Sequence, residues 1–232
     1  DDEWLPDFLS VISNLIKRFP DAGAYATAYY IENPGRKVEL ASLKYVPETT
    51  GGGLIDSYYR CIASGHNPVW SSAVCIPKTI FLDIGGFPAG VRLYEDLYLW
   101  SSIAINYEIA FSNKPCSIYH RDAGNRACNQ IVPTKDDLKF SGVLLQAIKD
   151  GKISGENIGY AQEFINRYAF LNSFKAIVAG NRQEGREIVL ELSPIGLKQR
   201  SRKFFILVLS YFSTGLIRLI WLSGRRLKGI AN

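Results

Sequence analysis

Methionine is absent from the 232-residue sequence, histidine occurs twice, and the four cysteines form no C-x-x-C pair. Without zinc-ligand spacing, these cysteines favour buried thiols of a reducing compartment over a metal-binding module. Aromatic residues make up 12% of the chain, which argues against disorder. Because natural chains start with Met and this one starts with Asp1, we expect the sequence to begin inside a longer protein.

Acidic residues are absent after Glu191, whereas eight basic residues lie between Lys198 and Lys228. Without those eight, 19 basic residues face 22 acidic ones, so the rest of the chain carries a net charge of −3. A mildly acidic body with a basic, apolar tail is typical of a tail that meets a surface. It does not indicate a nucleic-acid-binding domain.

The tail contains 19 residues, 204–222, with Arg218 as their one charge. A membrane-spanning helix needs about 20 mostly apolar residues, so length alone nearly permits spanning. Basic residues flank both ends, and anionic lipids attract them. We therefore predict that residues 198–232 form an interfacial helix, which makes the protein cytoplasmic and peripheral to the inner face of the cell membrane. A single span and a helix buried against a partner are the alternatives.

The order of apolar and turn-forming residues predicts an α/β layer up to residue 122. A helix is predicted over 2–19 and a buried strand over 23–31, and Pro77 and Gly85-Gly86 bound a short helix. Further strands are predicted at 37–46, 69–76, 107–113 and 115–122, and further helices at 54–63 and 94–106. After Pro133 the pattern changes to three helices. The predicted domains are 1–132, 133–197 and 198–232.

Two stretches carry paired acids. In DDEW, Asp1 and Asp2 are adjacent, and a divalent cation such as Mg²⁺ or Mn²⁺ would relieve their repulsion. Glu95 and Asp96 follow a glycine-rich loop and open a helix, where a carboxylate can act as a general base. For both pairs, acids at a solvated helix start are the alternative explanation.

A third stretch, YHRD, places His120 at the end of an apolar strand. A strand-end imidazole can complete a metal site, and the neighbouring Arg121 or Arg126 can hold a phosphate group. A histidine with a purely structural role is the alternative.

These three stretches together resemble the family 2 glycosyltransferases, whose catalytic core has the GT-A fold. The family's D-x-D-D-x-W-x-P stretch matches DDEWLP from its second aspartate, Asp1, onward. Its F-x-x-x-G-G-F and E-D-x-x-x-W stretches match residues 81–87 and 95–100. The resemblance covers about Asp1 to Arg126. It implies an α/β chain: the second half of a GT-A (Rossmann-like) nucleotide-sugar transferase domain, followed by a C-terminal helical region.

The resemblance also implies roles for single residues. Asp1, with His120, would bind the divalent cation (Mn²⁺ or Mg²⁺) that bridges the diphosphate of a nucleotide-sugar donor. Asp96 would be the base that removes the proton of the acceptor hydroxyl, with inversion at the sugar. Glu95 would orient the acceptor or the base, and Asp2 would shape the site or contact the sugar.

The resemblance also suggests substrate contacts, and the sequence departs from the family pattern in two places. Trp70 is a candidate for stacking on a sugar, with Arg121 and Arg126 as further substrate contacts, whereas the spacing of Trp100 from Leu97 favours a core position. Tyr94 replaces a small residue that often precedes the acidic pair, which affects the acceptor contacts. The Q-x-x-R-W sequence of processive synthases is absent, so we expect transfer of a single sugar.

We therefore predict a membrane-associated glycosyltransferase of the hexosyltransferase type, active in polysaccharide biosynthesis on a glycan or lipid-linked acceptor. Because the family's nucleotide-binding half lies upstream of Asp1, we expect little or no activity from these 232 residues alone. The alternatives are a non-catalytic membrane-associated binding or scaffold module, and a different metal enzyme such as a phosphoester hydrolase. Glycosyl transfer requires that the opening acids and the Glu95–Asp96 pair line one pocket.

Overall fold

The computed structural model describes residues 2–33, 35, 37–121, 130–194 and 196–212. The chain divides into two compact units. The first comprises Asp1–Gln130 and Lys139–Ala161, and the second comprises Ile131–Leu138 and Gln162–Asn232. In this division residues 139–161 belong to the first unit, and the domain bounds predicted from the sequence stay a prediction.

A sheet that has six strands in the described part of the chain forms the centre of the first unit. Its long members, β2 (Ala24–Glu32) and β6 (Ile109–His120), run parallel over their whole length. Four two-residue strands pair antiparallel with them: β1 (Glu3–Trp4) and β4 (Gly53–Leu54) with β6, and β3 (Glu39–Leu40) and β5 (Val74–Cys75) with β2. The carboxyl ends of β2 and β6 consequently lie side by side.

The described part of this unit also contains helices. They are α1 (Phe8–Arg18), α2 (Tyr58–Ser64), α3 (Lys78–Asp83), α4 (Glu95–Asn106) and α5 (Lys139–Lys149). Of these, α1 packs against both β2 and β6. In α1, Phe8, Ile12 and Leu15 recur at helical spacing and pack in one cluster with Tyr25 and Ala110 of the sheet. Each such buried side chain stabilises the fold by about 1.5–3 kcal/mol. Helix α5 packs against α4, and for this reason residues 139–149 belong to the first unit.

The predicted α/β class is confirmed, but the strands differ from prediction in several places. The strand predicted at 37–46 is restricted to β3, and the helix predicted over 2–19 is preceded by β1 and begins at Phe8. The strands predicted at 107–113 and 115–122 are one strand, β6, whose register against β2 shifts where Pro115 lies opposite Ala28. Proline has no N–H to donate, so a register irregularity there is expected. The strand predicted at 69–76 is restricted to β5, because residues 70–73 form a turn in which the Ala73 N–H donates to the Trp70 carbonyl (2.8 Å).

Glycines end α3 as predicted. The φ angles of Gly85 and Gly86 are +88° and +67°, in the region that favours glycine. The Gly86 N–H donates to the Phe81 carbonyl at 2.9 Å, which satisfies an acceptor of the last helical turn.

The second unit is helical. It contains α6 (Glu156–Ala179) from Gln162 onward, α7 (Arg182–Leu190), α8 (Gly196–Leu209) and a short 3₁₀ helix at Lys135–Leu138. Its buried side chains are mainly apolar and include Phe164, Ile177, Ile188, Ile206 and Leu209. The buried amides of Asn166 and Gln199 are hydrogen-bonded to each other, since Asn166 Nδ2 donates to Gln199 Oε1 (2.7 Å). The helical character predicted after Pro133 is thus confirmed.

Most of the predicted membrane-associating tail, residues 213–232, lies outside the described residues. The structure describes its first part, which belongs to α8 and the turn that follows. Within the described part of the chain, no helix is both long and apolar enough to cross a membrane.

We predict that Cys61 is unreactive in the folded protein. It is a free, fully buried thiol, and burial raises its pKa to about 12. Because the thiolate is the nucleophile, iodoacetamide at about pH 8 should label native Cys61 on the order of a hundredfold more slowly than the urea-unfolded chain. Peptide mass spectrometry over time measures both rates, with the partly exposed Cys75 as the internal comparison. Equal rates for Cys61 in native and unfolded protein would contradict the prediction.

Candidate active site

The candidate site lies at the carboxyl ends of the two long parallel strands, where α/β sheets commonly bind ligands. Strand β1 pairs with the end of β6, so that Glu3 lies opposite Ile118. This pairing brings Asp2 beside His120, whose backbone N–H donates to Asp2 Oδ1 at 3.3 Å.

The other carboxylate oxygen of Asp2 is held by the turn that precedes β5. Trp70 Nε1 donates to Asp2 Oδ2 at 3.1 Å, and Ser72 Oγ donates to it at 2.5 Å. Trp4 Nε1 in turn donates to the Ser72 carbonyl at 2.7 Å. Both oxygens of Asp2 thus accept hydrogen bonds, and the carboxylate is fixed in the wall of the site.

Asp96 meets the same turn from the start of α4. Its Oδ2 atom lies 3.5 Å from Ser71 Oγ, and its Oδ1 atom accepts the Leu97 N–H at 2.7 Å. Burial, with a smaller contribution from the charge of Glu95, raises the pKa of Asp96 to about 6, although the hydrogen bonds from Leu97 and Ser71 act in the opposite direction. A carboxyl group that titrates near neutral pH is suited to proton exchange with a substrate.

Tyr94 sets the entry into α4 with a left-handed backbone, at φ +65° and ψ +22°. This conformation costs a non-glycine residue roughly 1–2 kcal/mol. The Tyr94 ring packs edge-on against Phe140 of α5, with 6.4 Å between the ring centroids. Glu95 and Asp96 therefore directly follow a residue with a strained backbone, Tyr94, whose ring is held by α5. Strained backbone conformations are common at functional sites.

His120 faces two carboxylates. Its Nδ1 atom lies 2.5 Å from Glu32 Oε2, and its Nε2 atom lies 3.5 Å from Glu3 Oε2. A separation of 3.5 Å is compatible with one ion about 2.1 Å from both atoms, and oxygen ligands with one imidazole suit Mn²⁺. Among the described residues, no group of three or more His, Cys, Asp and Glu side chains is arranged to hold a metal by itself. The predicted ligand Asp1 lies outside those residues.

The other predicted substrate contacts have protein partners. Arg121 Nη1 donates to Asn33 Oδ1 at 3.3 Å. The Trp70 ring packs against Tyr119 and Tyr29, with ring centroids 4.1 and 5.6 Å away. The indole predicted to stack on a sugar is therefore in contact with two tyrosines. Arg126 lies outside the described residues. Outside the site, Trp100 is buried in the core, as predicted.

Three residues of the site, Ser71, Ser72 and Glu32, are not singled out by any pattern in the sequence. The stretch WSSAV carries a weak signal for the first two, because short hydroxyl side chains are typical of turns. Their acidic partners are distant in sequence, however, and only the folded chain brings them together. Glu32 ends β2, and its contact with His120 depends on the register of β2 against β6.

Two cavities of about 610 and 380 Å³ in the first unit are lined by other residues. The larger lies between α4 and α5, near Asn106 and Gln146, and the smaller lies near Tyr59 and Lys152. The common pocket for the two acidic pairs therefore stays a prediction. The structure does make Asp2 and Asp96 neighbours, because they contact consecutive residues of one turn.

No known family model matches the sequence, and no curated protein is significantly similar to it. Among solved structures, the chain is similar to S. aureus TarS 1-349, crystallised in complex with UDP-GlcNAc. The TM-score is 0.58 at 14% identity, and the match covers 89% of this chain and 63% of the TarS chain. The likeness shows the fold alone, a mixed α/β domain followed by a helical region, which agrees with the predicted fold class.

Proposed function

We propose that this protein is an inverting glycosyltransferase that moves a single sugar from a nucleotide-diphosphate sugar to a hydroxyl group of a glycan or lipid-linked acceptor. The observation that carries the proposal is the position of two acids, Asp2 and Asp96, at one turn. The likeness in fold to a glycosyltransferase crystallised with UDP-GlcNAc supports a nucleotide sugar as the donor.

In the proposed reaction, the acceptor oxygen attacks the anomeric carbon while the Asp96 carboxylate takes the proton of that hydroxyl. The new C–O bond forms on the side opposite the diphosphate. The old C–O bond breaks, and its electron pair leaves with the diphosphate, so the configuration inverts. A pKa of about 6 keeps Asp96 mostly ionised at neutral pH and makes it a stronger base than an ordinary aspartate. Glu95 orients the acceptor or the base.

In the proposed site, Asp1 and His120 would hold the cation, and Glu3 Oε2 lies 3.5 Å from His120 Nε2. When bound there, Mn²⁺ or Mg²⁺ would stabilise the negative charge that develops on the departing diphosphate. Asp2 keeps this wall in place through Trp70 and Ser72. Arg121 and Arg126 supply positive charge for the diphosphate.

Helix α8 supports the proposed peripheral position on the cytoplasmic face of the membrane. One of its faces buries Gln199, Ile206 and Leu209. The opposite face exposes Leu197, Phe204, Phe205 and Val208, and the turn after the helix exposes Tyr211 and Phe212; we name these six side chains the α8 stripe. Exposed basic residues accompany the stripe, among them Lys198, Arg200 and Arg202. An exposed apolar stripe with basic residues is typical of a helix that lies on anionic lipid. The same stripe is the observation that favours the alternative function, a membrane-associated binding or scaffold module.

A donor screen tests the proposal. Nucleotide sugars, beginning with UDP-GlcNAc, are offered to the natural protein with Mn²⁺, with Mg²⁺ and with EDTA. We expect one donor to release nucleoside diphosphate, EDTA to abolish the release, and NMR to show a product of inverted anomeric configuration.

Three results would contradict parts of this proposal. A retained configuration excludes direct displacement with Asp96 as the base. Full turnover in EDTA excludes the metal role of Asp1 and His120. Vesicle binding without turnover of any donor supports the scaffold alternative instead.

A further inference from the structure

We propose that the turn over residues 70–73 is a positioning segment, which holds the Asp2 and Asp96 carboxylates in a fixed relation and orients the base through Ser71. The inference deepens the proposed function and rests on it for its meaning in catalysis. Three consecutive side chains of the turn carry it. Trp70 and Ser72 donate to Asp2, and Ser71 contacts Asp96. Because neighbouring Cα atoms are about 3.8 Å apart, the two carboxylates are joined by a very short stretch of chain.

The turn itself is tied down from several sides. Within it, the Ala73 N–H donates to the Trp70 carbonyl at 2.8 Å. The Ala73 carbonyl accepts from the Thr27 N–H of β2 at 3.0 Å, and the Ser72 carbonyl accepts from Trp4 Nε1 of β1 at 2.7 Å. Because the turn is hydrogen-bonded to two strands of the sheet, the positions of these strands determine where the turn holds Asp2 and Asp96.

Packing restricts the turn as well. Ala73 is fully buried in a cluster with Tyr29 and Ile31, and the ring of Trp70 lies against Tyr119 and Tyr29. Protein interiors are close-packed, so the turn cannot shift without losing these contacts. The Trp70 indole thus has two tasks: its ring anchors the turn, and its N–H holds Asp2.

Substitution of Ser71 distinguishes a positioning role of the turn from a purely structural role. It is exposed, so loss of its hydroxyl leaves the packed core intact. Its hydroxyl faces Asp96 Oδ2, and a hydrogen bond to a carboxylate favours the charged form. Charged residues on the elements around Asp96 are Glu95 on α4, Arg92 in the preceding loop, Asp2 across the turn, and Lys139 and Lys149 on α5. Of these, Glu95 is the one whose charge raises the pKa of Asp96.

The test is a ¹³C NMR titration of aspartate carboxyl carbons in the 232-residue chain, from about pH 4 to about pH 8. The Asp96 signal is assigned by its loss in Asp96→Asn. We expect Ser71→Ala to move the Asp96 midpoint to higher pH, and the matched variant Ser71→Thr, which keeps a hydroxyl, to leave it in place. An unchanged midpoint in Ser71→Ala overturns the proposal, as does an equal shift in both variants. Ser71→Gly repeats the test if the alanine variant fails to fold.

Kinetics of the natural protein test the Asp2 half of the turn. Ser72→Ala and Trp70→Phe each remove one hydrogen bond to Asp2. Both variants should raise the KM for the nucleotide sugar by roughly tenfold and leave the acid limb of the pH profile of kcat/KM in place. Ser71→Ala should instead shift that limb to higher pH. A change in kcat alone for all three variants would overturn separate roles for these residues.

The titration keeps the two proposals apart. If Asp96→Asn retains transfer, the assigned base is wrong, but the Ser71→Ala midpoint still decides whether the turn acts on Asp96. If Asp96→Asn loses transfer while the Ser71→Ala midpoint is unchanged, glycosyl transfer stands and the role of the turn is overturned.

Discussion

Asp96→Asn should lower transfer by about 10²–10⁴-fold and, at pH 8, make the folded protein more stable. The loss of activity follows from the proposed role of Asp96, because an amide cannot take the proton of the acceptor hydroxyl. The gain in stability follows from burial, which raises the pKa of this carboxyl group from 3.8 to about 6. The same desolvation that strengthens the base thus opposes its charged form.

The sign of the stability effect depends on pH. Between about pH 4 and pH 6 the folded protein binds a proton at Asp96 that the unfolded chain has released. The stability that this proton contributes is complete below the unfolded pKa and is lost as the pH rises through the folded pKa. Because Asp96 retains some contact with solvent, the cost of its charge at pH 8 is on the order of 1–3 kcal/mol. Asparagine carries no charge and avoids that cost.

Urea unfolding of the wild type and of Asp96→Asn at pH 8 and about pH 4 measures the difference. The variant should be more stable at pH 8, and most of its advantage should disappear at the lower pH. Asp21→Asn, an exposed aspartate changed in the same way, should show no comparable gain. A variant that is less stable at pH 8, or equally stabilised at both pH values, would argue against a buried carboxylate. In the wild type, kcat/KM should fall as the pH drops below about 6.

Exchange of both Phe204 and Phe205 for serine should weaken binding to anionic vesicles by about 100-fold or more. Both side chains belong to the α8 stripe and are exposed, so their loss should leave the fold unchanged. Transfer of a Phe side chain out of water contributes about 1.5–3 kcal/mol, and the two contributions add when both rings enter the lipid. Neutralising Lys198 or Arg200 should have a smaller effect, a loss of about 1 kcal/mol of binding free energy each.

Co-sedimentation with vesicles of phosphatidylglycerol and phosphatidylcholine measures this binding over a range of lipid concentrations. The control is Leu171→Ser, which removes an exposed apolar side chain of α6 outside the stripe. Raised salt should weaken wild-type binding, because the basic residues act through screened charge. Wild-type affinity in the double serine variant would show that the α8 stripe is not the membrane face.

Much of the fold is predictable from local patterns. The uninterrupted small and β-prone residues of β2 indicate a strand buried on both faces, and the glycine pair after α3 indicates its end. The continuity of β6 is not predictable in this way, since Pro115 looks like a strand boundary. Only the pairing with β2 shows that the irregularity lies within one strand.

The sequence points to the acids, to His120 and to Trp70, but not to the contacts that join them. Glu95 and Asp96 stand out because acids favour a helix start, whether or not they act in chemistry. The turn that joins Asp96 to Asp2 leaves almost no local signal, because serine occurs in many turns. The contact between His120 and Glu32 is likewise a product of strand register, a property that neither strand contains by itself.

The irregularity at Pro115 has a consequence for the far end of β6. Side chains along a strand alternate between its two sides, so the side that each residue faces is set by the residues before it. The side on which His120 emerges is therefore decided upstream, at a proline with no chemical task of its own. A deletion of a single residue there would move the His120 side chain to the other side of the strand and away from Glu32, although every residue of the site would still be present.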